Sequence, residues 1–201
     1  MFFEIASRVM YIGKKYVYEM PEMEGLSLLW IIMPKPWCAI SCWALMFSVL
    51  IKKKFFYNYA SLSALLCSVI FFSYPGVGFN NEYILFDNVY SIVTHALLLT
   101  MSITLITLKF TDFKYKDFWK FAVCFGVTFV YGLIEIYLLK LVADPMYFMP
   151  NGDIQAGILK ISYGLYLFLY IFLIVVYTNA FYLVQDKQTV KNFFKKAFKK
   201  Q

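Results

Sequence analysis

The chain has 201 residues, of which 62% are hydrophobic, 21% aromatic and only 15% charged, with a mean hydropathy of +0.66. A soluble domain is about half apolar, and a soluble chain this apolar would leave large apolar patches on its surface. Composition therefore excludes an ordinary soluble domain and predicts an all-α, polytopic membrane helix bundle. The net charge of +7 then belongs to the flanks of membrane spans, and we expect no nucleic-acid partner.

The first 24 residues form a separate N-terminal segment. Glu4 and Arg8, together with the lack of a small-residue cleavage site, argue against a cleaved signal peptide. The spacing of its apolar residues is consistent with either an interfacial amphipathic helix or a first transmembrane span that has lost part of its apolar character, and we favour the interfacial helix. Apolar residues recur in it at helical spacing, at Phe2, Phe3, Ala6, Val9 and Met10.

A transmembrane domain is predicted over residues 25–185. A helix needs about 20 apolar residues to cross the hydrocarbon core of a bilayer. The sequence contains about five such runs, and a turn signal follows the second one. The predicted spans are residues 25–51, 55–74, 88–108, 121–139 and 161–185.

Lysines indicate the orientation of these spans, because basic residues accumulate in cytoplasmic loops. They follow the first span at 52–54, surround the third connection at 109–120 and fill a basic tail at 186–201. These positions predict a multi-pass protein of the cell membrane with its N-terminus outside and its C-terminus inside. Lysines and phenylalanines alternate in the tail, so we expect membrane lipids as partners, with anionic headgroups bound at the tail. The oligomeric state stays open.

Two prolines interrupt the first predicted span. Pro34 and Pro36 cannot donate backbone hydrogen bonds and disfavour helix just before them, so a new helix is expected to start there and run to Ile51. Cys38 then lies in the first turn of that helix. The free amides and positive dipole end of a helix, with Lys35 nearby, stabilise a thiolate, which is the nucleophilic form of cysteine.

Three reactive side chains are predicted to share one depth in the membrane. Cys38 and His95 each lie 14 residues before a lysine at the inner boundary, and Glu135 lies 15 residues after one. At ~1.5 Å per residue, each is ~21 to 22 Å above that boundary. Ionisable groups inside a membrane are functional candidates. A thiol and an imidazole at one level are typical of an acyl-transferring pair.

Simpler interpretations remain for the same residues. A cysteine in a membrane helix is usually a small packing residue, which is the favoured interpretation for Cys42, Cys67 and Cys124. The simpler interpretation is also favoured for Cys38 as a packing residue, for His95 as a packing or interhelical hydrogen-bond residue, and for Glu135 as a side chain that reaches water. Four cysteines without paired metal spacing and a single histidine predict no metal site, and no cofactor is expected.

The runs MPKPWC at 33–38 and HALL at 95–98 resemble motifs of the YwaF-like family of bacterial integral membrane proteins. More distantly, the chain is similar to a eukaryotic transmembrane phospholipid acyltransferase that uses a cysteine and a histidine. The resemblance spans about residues 28–177 and includes the run MYF at 146–148. The chain has Pro36 and Met146 where the family has histidine and asparagine, and it lacks the late Gly-Pro-Trp segment.

Two functional classes follow from these features. The first is a lipid acyltransferase or thioester hydrolase, with Cys38 as nucleophile, His95 as general base and then acid, and Glu135 as the group that orients the imidazole. The second is a non-enzymatic membrane module, such as a substrate-binding transporter subunit, in which the proline break lines a cavity. An enzyme needs Cys38 within reach of His95, whereas a carrier does not.

Overall fold

The computed structural model describes residues 2–16, 28, 32–34, 37–73, 86–138, 150 and 159–191. All regular secondary structure within these ranges is helical, which confirms the predicted all-α class. A 3₁₀ turn, Tyr115–Asp117, precedes α5, and a π-helical turn, Ile134–Leu138, extends it. The helices are α1 (Phe2–Tyr16), α2 (Trp37–Ile51), α3 (Lys54–Ser73), α4 (Phe86–Thr107), α5 (Phe118–Leu133) and α6 (Tyr163–Gln185).

Four helical segments are long and apolar enough to cross a membrane, which makes the chain an integral membrane protein with several crossings. They are α3, α4, α6 and the segment Tyr115–Leu138 that contains α5. The second to fifth predicted spans match these helices within a few residues at each end.

The first predicted span, residues 25–51, is only partly observed. Its described helix, α2, has 15 residues, which rise only ~22 Å and fall short of a full crossing. Much of the stretch before α2 lies outside the described residues.

Helices α2 and α3 form a tight hairpin. Lys52 adopts a left-handed conformation with φ 55°, its N–H donates to the Ser48 carbonyl at 2.9 Å, and α3 begins two residues later. Helix α3 packs most extensively against α2 and α4. It therefore lies at the centre of the described bundle.

Small polar residues form the contact between α2 and α3. The Trp37 indole N–H donates to the Ser63 hydroxyl at 2.7 Å, and the Ser41 and Ser63 hydroxyls are 2.8 Å apart. Trp37 is 2% exposed, and both serines are fully buried. Small residues let membrane helices approach closely, and their hydroxyls satisfy one another where water is absent.

Helices α5 and α6 pack around this centre. The Tyr59 hydroxyl of α3 hydrogen-bonds the Thr128 hydroxyl of α5. Tyr182 of α6 is 1% exposed and packs edge-on against Phe113 and Phe118, with ring centroids 5.1 and 5.7 Å away. Most other side chains of α6 face outward.

Polar contacts bring the lysine-rich connections to one end of the bundle. The Asn58 side chain donates to the Asp112 carbonyl and accepts from the Asp112 N–H, both at 2.8 Å. The Tyr115 N–H donates to the Asp186 carboxylate at 2.9 Å. The starts of α3 and α5 and the end of α6 therefore share one polar surface. Its assignment to the cytoplasm stays a prediction.

Candidate functional site

The break predicted at the proline pair lies where the sequence placed it. Ile32 is helical, Met33 is a bend, Pro34 is non-helical, and α2 begins at Trp37. Cys38 is thus the second residue of α2. It is not in a disulfide, is half-buried, and packs against the apolar core. The break places Cys38 in a first helical turn, as the nucleophile hypothesis requires.

His95 lies on α4 against the end of α3. Its ring is 6% exposed and stacks on the Phe71 ring, with centroids 3.7 Å apart and planes 6° from parallel. Its Nδ1 is 2.7 Å from the Ser91 carbonyl oxygen. A carbonyl oxygen only accepts hydrogen bonds, so Nδ1 carries the proton and Nε2 is left as an acceptor. In the neutral form of this imidazole, Nε2 is the basic nitrogen.

Glu135 lies in the π-helical turn that ends α5. It is 1% exposed, so its carboxyl group is enclosed by protein. The Tyr131 hydroxyl lies beside this carboxyl group and donates to the Pro34 carbonyl oxygen at 3.4 Å. Single π turns inside α-helices are frequent at functional sites. The Tyr131 hydroxyl thereby connects the π turn at Glu135 with the non-helical backbone at Pro34.

The N-terminal helix reaches the same region. The positive charge of Arg8 acts on the Tyr131 hydroxyl, and the neighbouring Ser7 is only 5% exposed. Helix α1 is therefore packed against protein on this side, although its predicted interfacial position stays a prediction. A cation, a buried acid and a hydroxyl from two distant parts of the chain therefore lie within electrostatic range of one another near Pro34.

The three predicted site residues have different surroundings. His95 contacts α3 through Phe71, and Glu135 lies beside Tyr131. Neither of these contacts involves Cys38, so their joint catalytic role stays a prediction. Sequence reasoning missed Tyr131 and Arg8. Tyr131 had a readable signal, because residues four apart share one helix face and Tyr131 precedes Glu135 by four.

Within the described ranges, no group of three or more histidine, cysteine, aspartate or glutamate side chains is placed to hold a metal ion. None of the four cysteines is in a disulfide.

Several residues that carry the family resemblance, Lys35, Pro36 and the run at 146–148, lie outside the described residues. Comparisons with protein-family models, with curated proteins and with solved structures gave no match. The likeness to the YwaF-like family therefore stays a prediction.

Proposed function

We propose that this protein is a non-enzymatic membrane module that binds a small zwitterionic solute, as the substrate-binding membrane subunit of a transporter. The observation that carries the proposal is the burial of Glu135 in a π turn. The neighbouring Tyr131 links this turn to the non-helical backbone at Pro34 by a hydrogen bond. Irregular backbone at membrane depth is tolerated where it is enclosed by protein or lines a cavity. Broken helices supply the solute sites of many transporters.

The charges at the site select the class of solute. An ionisable side chain inside a membrane is costly and marks a functional site by default. Glu135 offers an acceptor for an ammonium group, and Arg8, which acts on the same Tyr131 hydroxyl, offers a partner for a carboxylate. A free amino acid carries both groups. It would engage both charges and leave the site neutral overall.

Ligand-dependent thermal unfolding of the purified protein in lipid nanodiscs tests this proposal. Free amino acids serve as the probes. At least one is expected to raise the unfolding temperature in a saturable manner. Glu135→Gln should weaken this binding about tenfold or more, because a charge-assisted hydrogen bond contributes about 1.5–3 kcal/mol. Tyr137→Phe is the matched control, since Tyr137 lies in the same π turn but is 67% exposed. The proposal fails if no amino acid stabilises the wild type.

The acyltransferase is the second candidate, and the His95 tautomer favours it. Nε2 is the nitrogen left to act as a base, and Cys38 lies in the first turn of α2. In this reaction Nε2 takes the Cys38 thiol proton, and the thiolate sulfur attacks an acyl ester of a phospholipid. A thioester forms as the ester C–O bond breaks, and the departing lysophospholipid oxygen takes the proton from His95. An acceptor alcohol then attacks the thioester and restores the thiol.

Labelling with a long-chain acyl-activity probe separates this candidate from the first. The transferase requires labelling that disappears in Cys38→Ala and falls sharply in His95→Ala. Cys42→Ala is the control, because Cys42 is one turn further along α2 and is also half-buried. Wild-type protein that takes no label, or label that survives in Cys38→Ala, eliminates the transferase and leaves the binding module.

A further inference from the structure

A second site lies at the lysine-rich end of the bundle, away from Glu135. A cleft of about 440 Å³ opens there between the end of α4 and the end of α6. Its charged lining consists of three lysines and two aspartates, Lys109, Lys114, Lys187, Asp112 and Asp186. Which of these charges are already paired within the protein decides what the cleft can bind.

The two aspartates are engaged by the protein itself. Asp112 forms an ion pair with Lys114 at 2.8 Å. Asp186 accepts from the Tyr115 N–H at 2.9 Å and from the Thr189 hydroxyl at 2.7 Å. These donors hold the pKa of Asp186 below its ordinary value of 3.8, the Tyr115 N–H making the largest contribution. Lys114 neutralises Asp112, whereas Asp186 is satisfied by neutral donors and keeps its negative charge, so the three lysines and two aspartates of the lining leave a net charge of +1.

Two lysines are left to face a ligand. Lys109 and Lys187 are exposed, and neither forms an ion pair with any residue in the described part of the chain. Thr111, Gln185 and Gln188 also line the cleft. Two cations in a cleft that also holds neutral hydrogen-bonding residues suit a singly charged phosphodiester.

The backbone at Lys109 ends α4 beside the cleft. Helix α4 ends with the Phe110 N–H donating to the Leu105 carbonyl at 3.0 Å and the Lys109 N–H to the Ile106 carbonyl at 3.2 Å. This Schellman motif puts Lys109 at φ 60°, the position that glycine usually occupies. A side chain there costs roughly 1–2 kcal/mol. Lys52 and Lys160 adopt the same conformation, so this φ fixes where the Lys109 side chain starts but does not distinguish the site.

The rim of the cleft points to a lipid rather than a free anion. Leu108 and Phe110 flank Lys109 and are 63% and 48% exposed, and Val184, beside Gln185, is 70% exposed. These side chains continue the membrane-facing apolar surface up to the cleft. We propose that the cleft binds the phosphate of an anionic phospholipid through Lys109 and Lys187, with the acyl chains along this rim. The site takes Lys187 from the predicted basic tail, residues 186–201, and adds Lys109 from the end of α4.

Native mass spectrometry of the full chain measures the affinity for the first bound phosphatidylglycerol. Lys109→Asn removes the charge but keeps a residue that tolerates a left-handed backbone. Lys109→Asn and Lys187→Gln should each weaken binding about fivefold, and the double variant about 25-fold. Lys52→Asn is the matched control, because Lys52 has φ 55° at the same end but lies outside the cleft lining. Lys116→Gln controls for loss of an exposed charge.

The controls should bind phosphatidylglycerol as tightly as the wild type, and phosphatidylcholine should bind more weakly to all of them. Equal weakening by Lys52→Asn or Lys116→Gln would reduce the effect to general surface charge and overturn the site. Displacement of the lipid by inorganic phosphate at similar affinity would assign the cleft to a free anion instead. Unchanged binding in the double variant would also refute the proposal.

Discussion

Helices α3 and α6 are opposites in composition and in position. In α3, 67% of the most apolar window is buried, and its mean hydropathy is 1.6; in α6, only 11% is buried, and the value is 2.2. The more apolar helix is therefore the outer one. In a bilayer the surroundings are as apolar as leucine, so hydropathy does not drive a helix inward. Close packing of small and polar residues does.

The side chains of the two helices show why. Ser61, Ser63 and Ser68 of α3 are fully buried, and two of them also donate to carbonyls of their own helix. Such residues let α2 and α4 approach closely. Helix α6 turns only a narrow strip inward, which includes Thr178 and Tyr182, both 1% exposed. Its remaining large aliphatic and aromatic side chains are placed to face lipid.

The largest effect is expected when a larger side chain is introduced on each helix. Ser63→Leu is expected to cost about 3 kcal/mol of unfolding free energy, because it overfills the α2–α3 contact and leaves the Trp37 N–H without its acceptor. Val175→Leu on α6 should cost less than about 0.5 kcal/mol, since Val175 is 46% exposed. Unfolding in mixed micelles measures both. Equal effects would contradict the comparison.

The next test removes an amide side chain from each helix. Asn58→Ala is expected to cost about 2 kcal/mol, because the Asp112 N–H and carbonyl both lose a partner. Asn179→Ala on α6 should cost about 0.5 kcal/mol, as its contacts to Val175 and Tyr115 are exposed. The same micelle titration compares them. A larger loss for Asn179→Ala would reverse the assigned roles.

A smaller effect is expected at the contact between α3 and α5. A double-mutant cycle of Tyr59→Phe and Thr128→Val should give a coupling of about 0.6 kcal/mol and at most about 1.7 kcal/mol, the range for interhelical hydrogen bonds in membranes. Each variant and the double variant are unfolded under identical conditions. Additive losses would show that this contact does not tie α5 to the centre.

The smallest effect concerns the polar end of α6. The pKa of Asp186 is held low by the Tyr115 N–H, so its stabilising contribution is present above the ordinary value of 3.8 and is lost as the pH falls through the lower folded value. Unfolding measured from neutral pH to below 3.8 should therefore show a steeper loss for the wild type than for Asp186→Asn. Parallel pH profiles would show that the carboxylate does not hold α6.

The positions of the main helices were predictable from the sequence. The fifth predicted span, 161–185, differs from α6 by two residues at its start, and the second, 55–74, is displaced by one residue from α3. The start of α2 after the prolines was predicted as well. These features depend on local hydropathy and on proline geometry, and both are determined by residues that are close together in the sequence.

The relative burial of the helices and the make-up of the site were not predictable in the same way. All four candidate spans are apolar enough to insert into a membrane. Hydropathy alone therefore does not predict that α3 lies at the centre of the bundle and α6 on its outside. The Asn58–Asp112 pair joins residues 54 positions apart, which no local pattern encodes. Glu135 was identified as a candidate, but the π turn around it and the approach of Arg8 depend on tertiary packing.

Photolabelling of the wild-type protein in a lipid bilayer tests the arrangement most directly. An apolar carbene precursor reacts with side chains that face acyl chains, and peptide mass spectrometry locates the label. Heavy labelling of α6 is expected at Phe168, Leu173 and Val176, which are 63%, 61% and 46% exposed. Almost none is expected on α3 at Leu62 or Ser63, which are fully buried. Labelling of these α3 residues at the level of α6, or an unlabelled α6, would contradict a central α3 and an outer α6.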